Sequence, residues 1–113
     1  MAKTIFVGQD DTIEWENTLG STRLAGTMQN LVGGTKVCYL LVDVDNGAKG
    51  AARISGGVEF TKVSGEAWTQ GAVIYLNTST GLTTTVGSNR VAGIAARAQA
   101  SGDVLGRIFL NRA

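Results

Sequence analysis

The sequence lacks two residue types entirely and has little of several others. Its 113 residues include no proline, no histidine, one cysteine and 6% aromatic residues. Without histidine, neither a Ser-His-Asp nor a Cys-His relay can be built. A single cysteine excludes a disulfide within the chain and hence the disulfide-stapled class of secreted domains. These absences favour a non-catalytic protein that acts through the shape of its surface.

Concentrated charge and long apolar runs are also missing. Ten basic and nine acidic residues are spread along the chain, which gives a formal net charge of +1. Nucleic-acid binding and electrostatic membrane anchoring both need clustered basic residues. No apolar run approaches the roughly 20 residues of a membrane helix, and the first residues lack a signal-peptide centre. We expect no nucleic-acid or membrane partner, and synthesis in a cytoplasm-type compartment.

Two features resemble reactive sites but depart from their requirements. The segment Asp43-Val44-Asp45-Asn46-Gly47 resembles the start of a calcium loop. An EF-hand loop needs Gly at its sixth position and Glu at its twelfth, whereas these places hold Ala48 and Ile54. Cys38 lies in an apolar run without adjacent positive charge, which favours a buried and unreactive thiol. We therefore predict no cofactor and no metal, with a weak cation site between subunits as the open alternative.

The first third of the sequence contains an arm, a strand and a loop. Residues 1–8 predict an N-terminal arm or edge strand, centred on Thr4-Ile5-Phe6-Val7. The segment 12–17 alternates strictly, with Ile13 and Trp15 on one face and two glutamates on the other, which is typical of a half-buried strand. Residues 18–35 contain four glycines among scattered apolar residues. They predict a long loop, with one short strand near 22–28.

The middle of the sequence predicts a buried hairpin. The continuous apolar run Val37–Val42 is typical of a strand that is buried on both faces, or on one face and at a subunit contact. Asn46-Gly47 is the sequence signal for a type I′ turn, because both central residues of that turn have positive φ. The returning strand is expected over residues 48–54.

Short apolar runs alternate with Gly-, Ser- and Asn-rich turns in the second half. Strands are expected over residues 58–63, 72–76, 82–86 and 104–110. Residues 91–100 fit either a helical stripe or one face of a strand, and we choose the strand because Ser101-Gly102-Asp103 then closes a hairpin. The chain is thus predicted to be one all-β domain over residues 1–113, a small β-sandwich or β-barrel of about eight short strands.

Large aromatic and apolar side chains supply the interface candidates. Trp15 has a strand face to bury, whereas Trp68 lies in a turn-like segment between Glu66 and Gln70. Trp and Tyr are enriched among interface hot spots, and core packing is the alternative for each of them. The candidates for contact with a partner are Ile5, Phe6, Val7, Trp68 and Tyr75.

Several short segments, spread over the chain, resemble one family. The clearest lie between residues 56 and 111, and the opening segments 1–4 and 8–13 fit the same template. The segments read Gly-Gly-Val-Glu-Phe from Gly56, Lys-Val-Ser-Gly from Lys62, Gln-Gly-Ala from Gln70, Ile-Tyr from Ile74, Ala-Gly-Ile-Ala from Ala92, Ser-Gly-Asp from Ser101 and Arg-Ile-Phe-Leu-Asn from Arg107. On these residues the chain resembles the short phage and prophage proteins of the DUF2190 family, whose better-understood members are capsid decoration (cement) proteins.

The resemblance implies a structural role on a virus shell. It implies binding to the major capsid protein on the outer surface of the virion, self-association as a homotrimer, and synthesis in the host cytoplasm. The alternative is a virion surface module of a tail or fibre that binds the host or a carbohydrate. A recombinase label attached to some family members has no support here, because the phosphate-binding G-x-x-x-x-G-K-[ST] loop is missing.

Overall fold

A computed structural model of the protein describes residues 12–31 and 34–112. These residues contain nine antiparallel strands. The strands are β1 (Thr12–Glu16), β2 (Met28–Asn30), β3 (Val37–Leu40), β4 (Lys49–Arg53), β5 (Gly57–Thr61), β6 (Val73–Asn77), β7 (Gly81–Thr83), β8 (Arg90–Ala95) and β9 (Leu105–Leu110). They form two sheets, with strand orders β1-β4-β3-β2 and β5-β9-β8-β6-β7. None of the described segments is a helix, so none is a helix that could span a membrane. The all-β prediction is confirmed.

The second sheet curls so that its two outer strands meet. Lys62, just after β5, forms a parallel bridge with Leu82 of β7. The N–H of Val63 donates to the carbonyl of Leu82 at 2.9 Å. Gly81 permits this approach, because a Cβ at its position would lie 2.5 Å from the carbonyl oxygen of Thr61. The five strands therefore enclose a small barrel, which gives the strands a common interior.

Apolar side chains from all five barrel strands fill that interior. Along β6 and β9 they alternate with side chains that point to the outer wall, as the pleat of a strand requires. Two residues of the first sheet, Met28 and Val37, pack into the same cluster. The buried residues contributed by the barrel half are Val58, Trp68, Ile74, Leu76, Leu82, Ala92, Ala95, Ile108 and Leu110.

Strand β3 is buried on both faces. Val37 faces the barrel cluster, whereas the next residue, Cys38, belongs to a second core together with Leu40. All three side chains have no solvent exposure. Trp15, Val44 and Ala52 complete this second core. The prediction of a strand buried on both faces is thus correct for Val37–Leu40, whose two faces belong to two different cores. Leu41 and Val42, which were predicted to continue it, follow β3 and are exposed.

A single asparagine holds the edge of the barrel against β3. The side-chain oxygen of Asn111 accepts from the N–H of Val37 at 3.1 Å, and its amide donates to the carbonyl of Val37 at 2.9 Å. The same amide donates to the carbonyl of Ile54 at 2.7 Å. Asn111 has a φ of 57°, a left-handed conformation that asparagine adopts more readily than most residues. It therefore pairs with Val37 much as another strand would.

An arginine makes a second link between the two sheets. The guanidinium of Arg90, at the start of β8, donates to the carbonyls of Leu31 and Lys36 at 2.5 and 3.0 Å. Because Leu31 follows β2 and Lys36 precedes β3, the arginine holds the adjoining ends of these two strands against the barrel. The two sheets are thus joined by apolar packing and by two side chains that bind backbone groups.

Several local predictions need correction. The strand predicted over residues 82–86 ends at Thr83. The short strand predicted near residues 22–28, within the loop over 18–35, is β2 and lies at Met28–Asn30, while Arg23 forms an isolated bridge with Val44. The predicted strand over residues 91–100 is a strand only as far as Ala95. Gly47 has a φ of 83°, whereas Asn46 does not have a positive φ. The Asn-Gly turn therefore has the single left-handed residue of type II and not the two of type I′.

Replacing Asn111 by glycine tests the joint between the sheets. Glycine accepts the positive φ without strain but removes the three side-chain hydrogen bonds. Because the partner groups on Val37 and Ile54 are then left without bonds, we expect a loss of about 1–3 kcal/mol in the free energy of unfolding, measured by urea denaturation. Asn89→Gly, on the turn before β8, is the control. An equal effect of the two changes would contradict the proposed joint.

Candidate interface on the barrel wall

Reactive chemistry is not supported by the described residues. They contain no cluster of three or more His, Cys, Asp or Glu side chains that could hold a metal ion. Burial raises the pKa of the Cys38 thiol to about 11, against an opposing hydrogen bond from the backbone of Gln29. A thiol that stays protonated at neutral pH is a poor nucleophile and a poor metal ligand.

The burial of Cys38 predicts its labelling behaviour. In the folded protein at pH 8 the thiol should not react with a disulfide reagent over minutes, because it is both protonated and enclosed. In denaturant it should react fully, at one thiol per chain. Absorbance from the released reagent measures both states. Rapid labelling of the native protein would show that the second core opens readily.

Trp68 lies in the protein core. Its side chain is 3% exposed, and it belongs to the barrel cluster. The indole lies on Gly106 of β9, where an added Cβ would approach ring atom Cζ3 to 2.5 Å. Backbone hydrogen bonds with Gln99 at 2.9 and 3.1 Å fix the segment that carries it. The folded chain thus offers almost none of this side chain to a partner, and Trp68 takes the core role that the sequence left as its alternative.

A buried lysine holds the loops around Trp68. Lys62 is 3% exposed, and its ammonium lies 5.9 Å from the centre of the Trp68 ring. It donates to the carbonyls of Val63, Ser101 and Asp103 at 3.1, 3.5 and 3.3 Å. A buried ammonium needs such acceptors to offset its lost hydration. Lys62 therefore ties the chain after β5 to the turn before β9.

Glu66 ties the same region to β7. Its carboxylate accepts from the hydroxyl of Thr83 at 2.6 Å and from the N–H of Thr84 at 2.7 Å. Burial opposes ionisation, but these bonds and the charge of Lys62 outweigh it and lower the pKa of Glu66 below its ordinary value of 4.5. The link is therefore fully present above the ordinary carboxyl range and is lost as pH falls through the lowered pKa.

Substitution of Trp68 measures its part in the core. Trp68→Ala should cost about 3–5 kcal/mol of folding stability, because it leaves a cavity over Gly106. Trp68→Phe, which keeps a ring, should cost less. Urea unfolding measures both. A Trp68→Ala variant of unchanged stability that fails to self-associate would restore the interface role.

The outer wall of the barrel carries a row of apolar side chains. Val73, Ile94 and Phe109 are cross-strand neighbours on β6, β8 and β9. Val73 is 38% and Phe109 is 37% exposed, while Ile94 is partly exposed. Tyr75, the next outward residue of β6, is also partly exposed. We call Val73, Ile94, Phe109 and Tyr75 the barrel-wall row. Contiguous exposed apolar groups of this kind are typical of protein–protein contacts.

Charged groups border the barrel-wall row on one side. The Arg107 guanidinium pairs with the Glu59 carboxylate at 2.9 Å. The Arg112 guanidinium lies 5.2 Å from the centre of the Phe109 ring. A groove of about 400 Å³ beside Phe109 is lined by Glu59 and Arg107 and passes over Gly57 and Ala96. An apolar centre with a polar border is the general anatomy of a protein interface.

A second exposed apolar group lies on the loops of the first sheet. Leu24 is 58% exposed in the turn before β2, and Leu41 and Val42, just after β3, are also exposed. The carboxylate of Asp43 accepts from the N–H of Ala25 at 2.8 Å, which fixes these loops to each other. The loop surface, Leu24, Leu41 and Val42, is separate in the fold from the barrel-wall row.

The sequence-predicted contact residues do not all lie on one surface of the structure. Ile5, Phe6 and Val7 lie outside the described residues. Tyr75 lies on the barrel wall. Phe109 is the main interface candidate that sequence reasoning missed, although the alternation of buried and exposed residues along β9 contains the signal. That alternation places Phe109 outward only once Ile108 and Leu110 are assigned to the core.

The chain matches a family model described as phage cement protein over residues 9–110. The match covers most of the chain, so the protein belongs to the phage cement protein family. No curated protein and no solved structure matches the chain. The family resemblance seen in the short segments is thereby confirmed, and the role in a phage capsid that it implies is supported.

Proposed function

We propose that this member of the phage cement protein family binds the outer surface of the capsid, on the major capsid protein, and stabilises the shell without catalysing a reaction. The observation that carries the proposal is the family match over residues 9–110. The barrel-wall row and the loop surface agree with it, because a bridging protein needs more than one apolar contact surface.

The stabilising mechanism is linkage. A protein that binds only the assembled shell shifts the balance toward that shell by RT ln(1 + [L]/Kd), which is roughly 2.7 kcal/mol per site at one hundred times Kd. Many copies on a symmetric lattice add their contributions, so each contact can be modest. The shell then resists the outward pressure of packaged DNA better than the undecorated shell.

Self-association as a homotrimer belongs to the same proposal. A trimer presents three copies of each surface, so one decorating unit can contact several capsid subunits at once. Ile5, Phe6, Val7 and Tyr75 are the proposed contact residues. The arm formed by residues 1–8 pairs as an added strand with a neighbouring capsid or decoration subunit.

Genome release on heating tests the proposal. Capsids that lack the protein should assemble, because their main contacts belong to the major capsid protein, but they should release DNA at a lower temperature. Adding the purified protein should restore the release temperature, with binding that saturates at a fixed ratio to capsid subunits. Dye fluorescence during a temperature ramp measures release. Identical curves with and without the protein would contradict the proposal.

Matched variants locate the contact. Phe109→Asp should reduce capsid binding by about tenfold or more, since it places a charge where an apolar hot-spot side chain would be enclosed. Val86→Asp is the control, because Val86 is 56% exposed in the turn between β7 and β8, outside the barrel-wall row. Equal binding by the two variants would exclude the barrel wall. A protein found only on tails or fibres would instead favour host or carbohydrate binding.

A further inference from the structure

Every second residue of β5 has its backbone N–H and C=O groups on the side that faces away from β9. The N–H of Lys62 donates to the carbonyl of Val104, and the N–H of Leu110 donates to the carbonyl of Gly56, both at 2.9 Å. In an antiparallel pair, hydrogen-bonded residues alternate with residues whose backbone groups face the opposite side. The even-numbered residues of β5 therefore bond to β9, and its odd-numbered residues present N–H and C=O groups outward.

The barrel covers only one end of this outward edge. Beyond the end of β5, the N–H of Val63 bonds to Leu82 of β7. No described residue forms a hydrogen bond with the outward backbone groups of Gly57 or Glu59. Unpaired edge groups of this kind are a template for an added strand. Among residues 12–31 and 34–112, the first half of β5 is thus an open edge in an otherwise closed barrel.

The side chains beside the open edge suit an apolar strand. Val58 and Phe60 point toward the barrel core, so an added strand could extend that core on its inner face. On the outer face, Gly57 has no side chain and the Phe109 ring lies beside it, 3.7 Å from the position of an added Cβ. The groove of about 400 Å³ begins at this point. An incoming strand would therefore place one large apolar side chain over Gly57.

We propose that the segment Thr4-Ile5-Phe6-Val7 of a neighbouring copy pairs with the open edge of β5. The inference rests on the proposed function, which assigns the arm to a neighbouring subunit, and it names the acceptor. The segment consists of β-branched and aromatic residues, which favour strands. In an alternating strand, Ile5 and Val7 share one face and extend the core, while Phe6 lies on the other face over Gly57.

Charge favours an antiparallel orientation of the arm. The arm is flanked by Lys3 on one side and by Asp10-Asp11 on the other. Running antiparallel to β5, it brings the two aspartates to the end of β5 that lies beside Phe109, where Arg112 stacks on the ring. The opposite direction would bring Lys3 to the same arginine, which is a repulsive arrangement.

Chain length limits how far the arm can be donated. Residues 8–11 link the paired segment to β1, so five residue steps separate Val7 from Thr12, and an extended chain covers at most about 3.3–3.6 Å per residue, or roughly 17 Å. The accepting β5 must therefore lie within that distance of Thr12 of the donating copy. Since the chain carries both the donated strand and the accepting edge, the contact is heterologous and closes a ring when three copies exchange arms.

Disulfide trapping between two variants tests the exchange. One variant carries Thr4→Cys and the other carries Glu59→Cys, because Thr4 lies opposite Glu59 when Phe6 lies over Gly57 in an antiparallel pair. Each variant has a different affinity tag, and the enclosed Cys38 is left unchanged. The mixture, oxidised as purified full-length protein and on decorated particles, should yield disulfide-linked species that carry both tags. Ala51→Cys, exposed on β4 of the first sheet, replaces the acceptor in the control and should yield at least tenfold less.

The outcomes separate this inference from the proposed function. Linked species in solution support arm exchange even when capsids are not bound, and normal decoration without any linked species overturns the exchange alone. In a single chain that carries both cysteines, a disulfide formed only within the chain shows that the arm covers its own β5 and also overturns the proposal.

A proline on the edge supplies an independent measurement. Glu59→Pro removes an outward N–H and leaves the bonds of β5 to β9 in place, as edge strands tolerate. Glu59→Ala keeps the N–H and also lacks the ion pair with Arg107, so it is the matched control. Light scattering after size-exclusion chromatography should give a trimer for the alanine variant and a monomer for the proline variant. Trimers of both variants would count against pairing at β5.

Discussion

The architecture depends on the opposite burial of two consecutive residues of β3. Val37 enters the barrel cluster and Cys38 enters the core of the first sheet, and both are fully enclosed. A shift of the strand by one residue would exchange the two faces. Asn111 prevents such a shift, because it binds both backbone groups of Val37. One side chain thus fixes the register of the strand that the two cores share.

Much of the fold could be predicted from the sequence because the local signals agree with the tertiary structure. Strict alternation located β1, the continuous apolar run located β3, and the turn residues separated the later strands. The closure of the barrel could not be predicted, since it depends on the approach of Gly81 to the carbonyl of Thr61. Such contacts join segments that no local pattern relates.

The interface was harder to predict than the fold. Tryptophan is a residue type typical of interface hot spots, yet Trp68 is enclosed because Gly106 leaves room for its indole. Phenylalanine is a residue type typical of protein cores, yet Phe109 is exposed because its neighbours Ile108 and Leu110 point to the inner face. Whether an aromatic residue lies inside or outside a barrel depends on the register of its strand. Register follows from pairing with distant residues such as those of β5.

Strand β9 supplies both the core and the outer surface of the barrel. Its even-numbered residues are buried and its odd-numbered residues are exposed. The ring of Phe109 is therefore held on a packed strand, and little conformational entropy is lost when a partner covers it. Rigid presentation of a small apolar surface suits a contact that is repeated many times on a lattice.

An open strand edge is a hazard for a protein that must remain soluble, because a second chain can pair with it and continue into aggregates. At Gly57 and Glu59 the edge is short, and the ion pair between Glu59 and Arg107 lies beside it. A matching strand donated by another copy satisfies the same backbone groups and, in a closed ring, leaves none free for further growth. Closure of the ring would thus use the exposed edge of β5 as the contact between copies and would leave no such edge free to aggregate.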